Sequence, residues 1–265
     1  MLKIQDLSVN IWEKEILHDV NIDFELGKNY CILGRNGSGK STLGMTIVWH
    51  PIYEVVSGDI LVKSEYISSL ENIDNIWLSD DVDLSDEYIS VKEVWPDVRA
   101  RMWIFVAMQS IPEVPGVKLF EFLRQIYNTK FGKTESFVSF KKIIQPMMEG
   151  LGIDKEFLRR DLNVGFSGGE RRKIEVLQLK LLQPKYIILD EVDSGLDVDA
   201  FRAVADLLRS YDSGDNTLIV ITHYFEILNY ISVDEVVLMA DGRVVDKWDM
   251  SMIDKVKADW FVWLE

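Results

Sequence analysis

The chain has 265 residues, room for one large domain or two small ones, and its 48% hydrophobic and 28% charged residues mark a folded globular protein rather than a disordered one. The 29 Lys and Arg are outnumbered by 44 Asp and Glu, and a net charge of −15 excludes a nucleic-acid-coating surface or a polybasic membrane anchor, which need clustered cations. The single cysteine, Cys31, excludes an internal disulfide and a multi-thiolate metal site within the chain, and points to a reducing, cytoplasmic setting.

Strand signals come first in chain order. Val20, Ile22, Phe24 and Leu26 alternate with polar residues, as a half-buried strand does, and Gly27-Lys28 turns into Tyr30-Cys31-Ile32-Leu33, an apolar run suited to a doubly covered strand. A glycine-rich loop follows, then a predicted helix from Lys40 to Trp49, stopped near Pro51. A short strand is predicted over Ile60 to Val62, and the acidic stretch 64–98 reads as a solvated surface insertion.

Strand character returns over 102–108. No run approaches the roughly 18 apolar residues needed to span a bilayer, and the N-terminus lacks the charged-then-apolar order of a signal peptide. Direct membrane insertion is therefore not expected. Helical periodicity dominates from Val117 to Arg160, interrupted at Gly132, Pro146 and Gly152, which predicts a helical subdomain over about 110–165. The second half alternates: helix 168–182, strand 186–190, helix 198–211, strand 217–222, helix 224–231, and strands near 235–239 and 243–247. Such alternation implies a largely parallel sheet covered on both faces, one α/β core with an inserted helical lobe.

Gly34-Arg35-Asn36-Gly37-Ser38-Gly39-Lys40-Ser41, followed by Thr42, fits G-x-x-x-x-G-K-[ST] in full and lies between a buried strand and a helix start. The glycines let backbone N–H groups curl around phosphate oxygens, and the helix dipole favours the anion. Lys40 has the reach for the β- and γ-phosphates, and the Ser41 hydroxyl suits Mg²⁺. The chain is expected to bind a nucleoside triphosphate. Tyr186-Ile187-Ile188-Leu189 ends in Asp190-Glu191 at the C-terminal edge of the sheet, where open α/β folds hold ligands. Asp190 is the expected Mg²⁺ partner, and Glu191 the residue that orients or deprotonates the attacking water.

Phe166-Ser167-Gly168-Gly169-Glu170 opens a helix, and Ser167 with Glu170 spells a capping box. A cap does not require two glycines in the first turn, where they lower helix stability. They make sense where a large anion approaches the backbone.

With these elements in view, the sequence resembles the nucleotide-binding subunits of the ABC ATPases over nearly its whole length. The resemblance implies a P-loop fold with an N-terminal antiparallel β subdomain, a mixed, mainly parallel core sheet and an inserted helical subdomain. It implies that Ser167-Gly168-Gly169-Glu170 is the signature loop, which in that family contacts ATP held by a second copy. It assigns Gln109 to the Q-loop as a catalytic and metal-site residue, Asp197 in Ser194-Gly195-Leu196-Asp197 to the D-loop, and His223 as the switch histidine. These ATPases stack adenine on an aromatic residue of the first hairpin. Trp12 is near that slot, but counting back from Ile16-Leu17 puts Ile11 in it.

Gly165 to Glu175, His50-Pro51 with Tyr53-Glu54-Val55, Pro112 to Val117 after Gln109, Asp193-Ser194-Gly195-Leu196-Asp197 and Thr222-His223-Tyr224 are together similar to the SufC family, ATPase subunits of the SUF iron–sulfur cluster machinery. That likeness implies ATP and Mg²⁺ as cofactors, a SufB- or SufD-like scaffold as partner, a second copy in the ATP-bound state, and no nucleic acid. An ABC transporter subunit would share every phosphate contact, and a non-catalytic nucleotide-gated clamp is a third class. Val117, Phe120, Leu123, Arg124 and Tyr127 recur on one helical stripe, either a scaffold-docking face or a core face. Trp260 to Leu264 reads as a tail helix packed on the domain, with a partner contact as the alternative.

Overall fold

The computed structural model describes residues 1–68, 85–102, 104–108, 110–191, 215–222 and 232–249. β1 (Leu2–Ile11) and β2 (Lys14–Phe24) form an antiparallel hairpin whose buried residues include Val20, Ile22 and Phe24. Leu26, expected to continue the alternation, lies past the strand end in the turn and is 40% exposed. β1 itself escapes a search for alternation because its buried residues step by two and then by three, from Ile4 to Leu7. The extra residue is a bulge at Asp6 (φ 47°), where the ladder shifts register and Asn21 accepts from the Asp6 N–H and donates to its carboxylate.

β4 (Tyr53–Lys63) pairs with the other edge of β1, and Gly58 (φ +79°) faces the bulge. A Cβ there would sit 2.3 Å from the carbonyl oxygens of Gln5 and Asp6, so only glycine fits. β4 is far longer than the predicted Ile60–Val62. Beyond it come α2 (Ser64–Ser68) and β5 (Tyr88–Ser90), completing a four-stranded sheet in the order β2-β1-β4-β5. The described ends of the 64–98 stretch are not a solvated surface, since Tyr66, Ile89, Val91, Val94 and Val98 are all buried. The centre of that stretch, 69–84, lies outside the described residues.

The second sheet has the order β12-β11-β3-β10-β9-β6, built from β3 (Tyr30–Leu33), β6 (Ile104–Ala107), β9 (Tyr186–Asp190), β10 (Thr217–Ile221), β11 (Glu235–Ala240) and β12 (Arg243–Trp248). Five strands run parallel and β12 is the antiparallel edge. Its period-two alternation feeds two cores. Tyr30, Ile32, Ile188, Ile219 and Ile221 pack with the antiparallel sheet and with α1 (Lys40–Ile47), while Cys31, Leu33, Ile187, Leu189, Leu218 and Val220 pack on the other face. This is the α/β fold with a doubly covered sheet that the alternation predicts.

The third core is the helical lobe: α4 (Leu119–Phe131), α5 (Phe137–Gly150) and a 3₁₀ turn, Lys155–Arg159, attached through a short ribbon of β7 (Val114–Lys118) and β8 (Asp161–Leu162). Gly132 ends α4 in a left-handed C-cap, as its position suggests. Pro146 does not interrupt: α5 runs through it, with buried Ile144 and Met148 holding the helix on either side. The stripe from Val117 to Tyr127 faces the core in its helical part, while Val117 itself lies on β7 and is 38% exposed. Phe120 and Leu123 are buried, and Arg124 pairs with Glu121 at 2.6 Å and donates to the Glu135 carbonyl. α6 (Gly168–Leu182) joins lobe to sheet, with Ile174, Leu177 and Leu181 in the helical core and Val176 and Leu179 under the parallel sheet.

The predicted helices 198–211 and 224–231 and the aromatic run at 260–264 lie outside the described residues. Among the described residues, no helix is long and apolar enough to cross a membrane.

Candidate functional site

The glycine-rich loop leaves β3 at Leu33 and enters α1 at Lys40, at the C-terminal edge of the parallel sheet. Gly39 caps α1 from the left-handed region (φ 99°), and a Cβ on it would come within 2.6 Å of Leu17 Cδ2. The turn between β11 and β12 braces the loop from outside, with the Gly242 N–H donating to the Ser38 carbonyl. α1 has no side-chain cap and no acidic residue in its first turn, whereas α5 and α6 are both capped by serine. A helix start stripped of protein acceptors leaves its N–H groups for an anion.

Lys40 is buried, and its Nζ donates to the carbonyls of Gly34 and Arg35, both at 2.8 Å. The loop thus wraps around its own ammonium group. Burial lowers the Lys40 pKa, and the negative charges of Glu191 and Asp190 partly restore it. The Ser41 hydroxyl donates to Asp190 Oδ1 at 2.9 Å. Asp190 is 1% exposed, and burial raises its carboxyl pKa, an effect that Ser41 and Lys40 oppose and Glu191 reinforces. A buried carboxylate beside a hydroxyl offers two hard oxygen donors to Mg²⁺. Glu191 follows with φ 48°, its N–H donating to the Ile221 carbonyl at 2.9 Å. That turn carries the second carboxylate off the strand axis and into the wall of the same cavity.

The cavity has a volume of about 480 Å³, and its lining includes Asn36, Gly37, Gly39, Lys40, Ser41, Thr42 and Glu191. The buried Ser38 hydroxyl has no hydrogen-bond partner among the described residues, an orphaned donor inside a loop shaped for oxygen atoms. Three features therefore fit a triphosphate and its magnesium: the uncapped helix, the enclosed ammonium and the Ser41–Asp190 pair. Ile11, Lys14 and Ile16 from the first hairpin complete the wall. Trp12 does not: it is 80% exposed and lines a separate cavity with Trp49 and Tyr53. Lys14 went unnoticed in the sequence, since only the pairing of β1 with β2 brings it beside the loop.

Ser167, Gly168, Gly169 and Glu170 form the first turn of α6 and stand outside this cavity. The capping box is complete, with the Ser167 N–H donating to Glu170 Oε2 at 2.7 Å and the Glu170 N–H to Ser167 Oγ at 3.3 Å. Those bonds hold the Glu170 pKa below the usual carboxylate range. Gly168 is exposed, and a Cβ on it would meet nothing within 4 Å, so the turn presents open backbone. Gln109, Asp197 and His223 lie outside the described residues. Among those described, no group of three or more His, Cys, Asp or Glu is arranged to hold a metal ion.

The ABC transporter family profile matches residues 17–194. A probable ATP-dependent transporter, ycf16, of Pyropia yezoensis is 37% identical over 268 aligned positions, covering 100% of this chain and 97% of the relative. Vegetative protein 296 of Bacillus subtilis is 37% identical over 267 positions, with 100% and 93% covered. Among solved structures, an ATP-binding subunit of an ABC transporter superposes with a TM-score of 0.73 at 20% identity, covering 100% of this chain and 99% of that one. A dimeric bacterial ABC transporter cassette, MJ0796, gives 0.71 at 18% identity, with 94% and 99% covered. A glycine-rich loop and an acid pair set in this fold, and relatives matched end to end, lead to one conclusion: the chain belongs to the ABC transporter family and is an ABC-type ATPase that works on ATP with Mg²⁺.

Proposed function

We propose that this ATPase drives iron–sulfur cluster assembly, two copies closing around two ATP molecules while docked on a SufB- or SufD-like scaffold. The observation that carries the two-copy site is the placement of the Ser167–Glu170 turn, exposed and outside the cavity that holds Lys40. An anion in that cavity needs a second chain to bring glycines to its far side. Bound Mg²⁺ and ATP supply the γ-phosphoryl group and neutralise the charge of its transfer to water. Lys40 exchanges its carbonyl contacts for phosphate oxygens, and Ser41 and Asp190 hold the metal. Glu191 orients or deprotonates the attacking water, and the resemblance adds Gln109 and His223 as catalytic residues and Asp197 as the D-loop residue.

The scaffold assignment rests on the SufC-like residues from Gly165 to Glu175 and on a chain whose one thiol, Cys31, is buried, so that cluster ligands must come from a partner. Relatives named as probable ATP-dependent transporters favour a second reading, the ATPase subunit of a membrane transporter. Purification of Glu191→Gln from its native cell, with ATP present, separates the readings. A dimer carrying a soluble scaffold supports cluster assembly, co-purification of a membrane protein supports transport, and a monomer at saturating ATP with scaffold present removes the shared site.

A further inference from the structure

β11 and β12 are joined by Asp241 and Gly242, both in the left-handed region (φ 47° and 74°), in the two-residue turn that an Asp-Gly pair favours. This turn lies at the far end of the chain from the glycine-rich loop, yet it forms the loop's outer mould. A Cβ on Gly34 would overlap the Met239 carbonyl oxygen, and one on Gly39 would stand 3.4 Å from Gly242 Cα. Gly242 is itself enclosed, since a Cβ on it would overlap the Ile16 carbonyl oxygen and lie 2.8 Å from His18 Cδ2. Both of its backbone groups are engaged across elements. Its carbonyl accepts from the His18 N–H at 2.9 Å, and its N–H donates to the Ser38 carbonyl at 3.1 Å.

The second of these bonds fixes a direction inside the loop. The Ser38 carbonyl and the Gly39 N–H belong to one planar trans peptide unit and point opposite ways. Residue 39 is a glycine, which accepts either sign of φ, so the loop's own sterics do not decide which way that unit faces. The Ser38 N–H is tied within the loop, donating to the Arg35 carbonyl at 3.1 Å. What remains is the peptide that follows, and the Gly242 N–H draws its carbonyl outward. The Gly39 N–H is thereby turned away from Gly242, on the side of the cavity that Gly39 lines and Gly242 does not.

We infer that Gly242 is a positioning residue for phosphate binding: its N–H holds the Ser38–Gly39 peptide in the orientation that presents the Gly39 N–H to an anion. A side chain at position 242 would push the turn off Ile16 and take the N–H with it. The inference rests on the reading of the glycine-rich loop as the phosphate site, and adds to that site a residue of the β11–β12 turn.

The test measures equilibrium binding of MgADP, read by displacement of a fluorescent nucleotide, together with the melting temperature of the nucleotide-free protein. Wild type is compared with Gly242→Ala and with Trp248→Ala. Trp248 pairs with Val236 at the opposite end of the same hairpin and packs against the core on one face of the sheet, so its truncation costs stability without touching the turn. The expected result is a rise in Kd of at least about tenfold for Gly242→Ala, the worth of one hydrogen bond to a charged oxygen. Trp248→Ala should melt at a lower temperature with its Kd within about twofold of wild type.

A wild-type Kd in folded Gly242→Ala overturns the inference. So does a Trp248→Ala variant whose binding weakens as much as that of Gly242→Ala, because lost stability then accounts for both. A wild type that does not bind MgADP removes the reading of the loop instead, which keeps the two failures distinct. If Gly242→Ala does not fold, glycolate in place of Gly242 decides. The ester exchanges the N–H for an oxygen and adds no Cβ, so a several-fold rise in Kd supports the inference and an unchanged Kd overturns it.

Discussion

Lys40, buried, and Lys130, partly buried, both donate to two carbonyl oxygens, yet they serve differently. Lys40 lies between the acids Asp190 and Glu191, which offset its burial. Lys130, on α4, donates to the carbonyls of Ala100 and Arg101 at 2.9 and 2.6 Å, tying the lobe to the end of α3 (Pro96–Arg101). Burial, reinforced by the Arg101 charge, lowers its pKa from 10.5 to about 7. Between those values the unfolded chain binds a proton that the folded chain has shed, so stability rises with pH across that window and is flat below it. The melting temperature of the wild type minus that of Lys130→Met should therefore grow between pH 7 and 9, by an amount on the order of 1 kcal/mol in stability after allowing for partial exposure. A difference that stays constant or shrinks over that range contradicts the assignment.

At the scale of elements, α1 depends on one residue at each end. Its N-terminus starts from Gly39, in the left-handed region and without a side-chain cap, and its C-terminus is held by Arg99, 0% exposed, whose guanidinium donates to the carbonyls of Thr46 (3.0 Å), Ile47 (2.7 Å), Val94 (2.8 Å) and Val91. Burial lowers its pKa to about 9, with Asp59 opposing. A cation at the C-terminal end also complements the helix dipole. Arg99→Met leaves several buried carbonyls without a donor and should destabilise the fold by about 3 kcal/mol or more, a drop in Tm on the order of 6–12 °C. A calorimetric change below about 1 kcal/mol contradicts this role.

Legibility in the sequence followed the locality of the contacts. The phosphate loop and the Ser167–Glu170 box were readable because their partners lie within a few residues, and the strands Tyr30–Leu33 and Tyr186–Asp190 because both faces are covered. β1 was hidden by the bulge at Asp6, and β7 by a helical period that begins inside it at Val117. Nothing in the sequence sets Arg99, Arg172 and Glu175 apart in a chain with 28% charged residues, since their partners include backbone groups 52 to 67 residues distant. The cavity wall from Ile11 to Ile16 needed the hairpin to be folded before Trp12 could be set apart from it.

At the scale of the molecule, the described residues form three cores joined by two elements, the parallel sheet with a core on each face and α6 reaching from one of these into the lobe. Cys31 stands on β3 between β10 and β11, near the middle of this arrangement, with 0% exposure. Its sulfur is therefore a built-in reporter. A chromogenic disulfide reagent has no path to it until the central strands part, so its reaction in the native protein should be slower than in urea by a factor on the order of 10³ or more, tracking global opening rather than fraying. Rapid native labelling would mean that β3 opens on its own. In a chain so protected, a second cysteine engineered on the surface takes up a fluorophore alone, and the wild-type background needs no thiol removed before distances across the proposed dimer are measured.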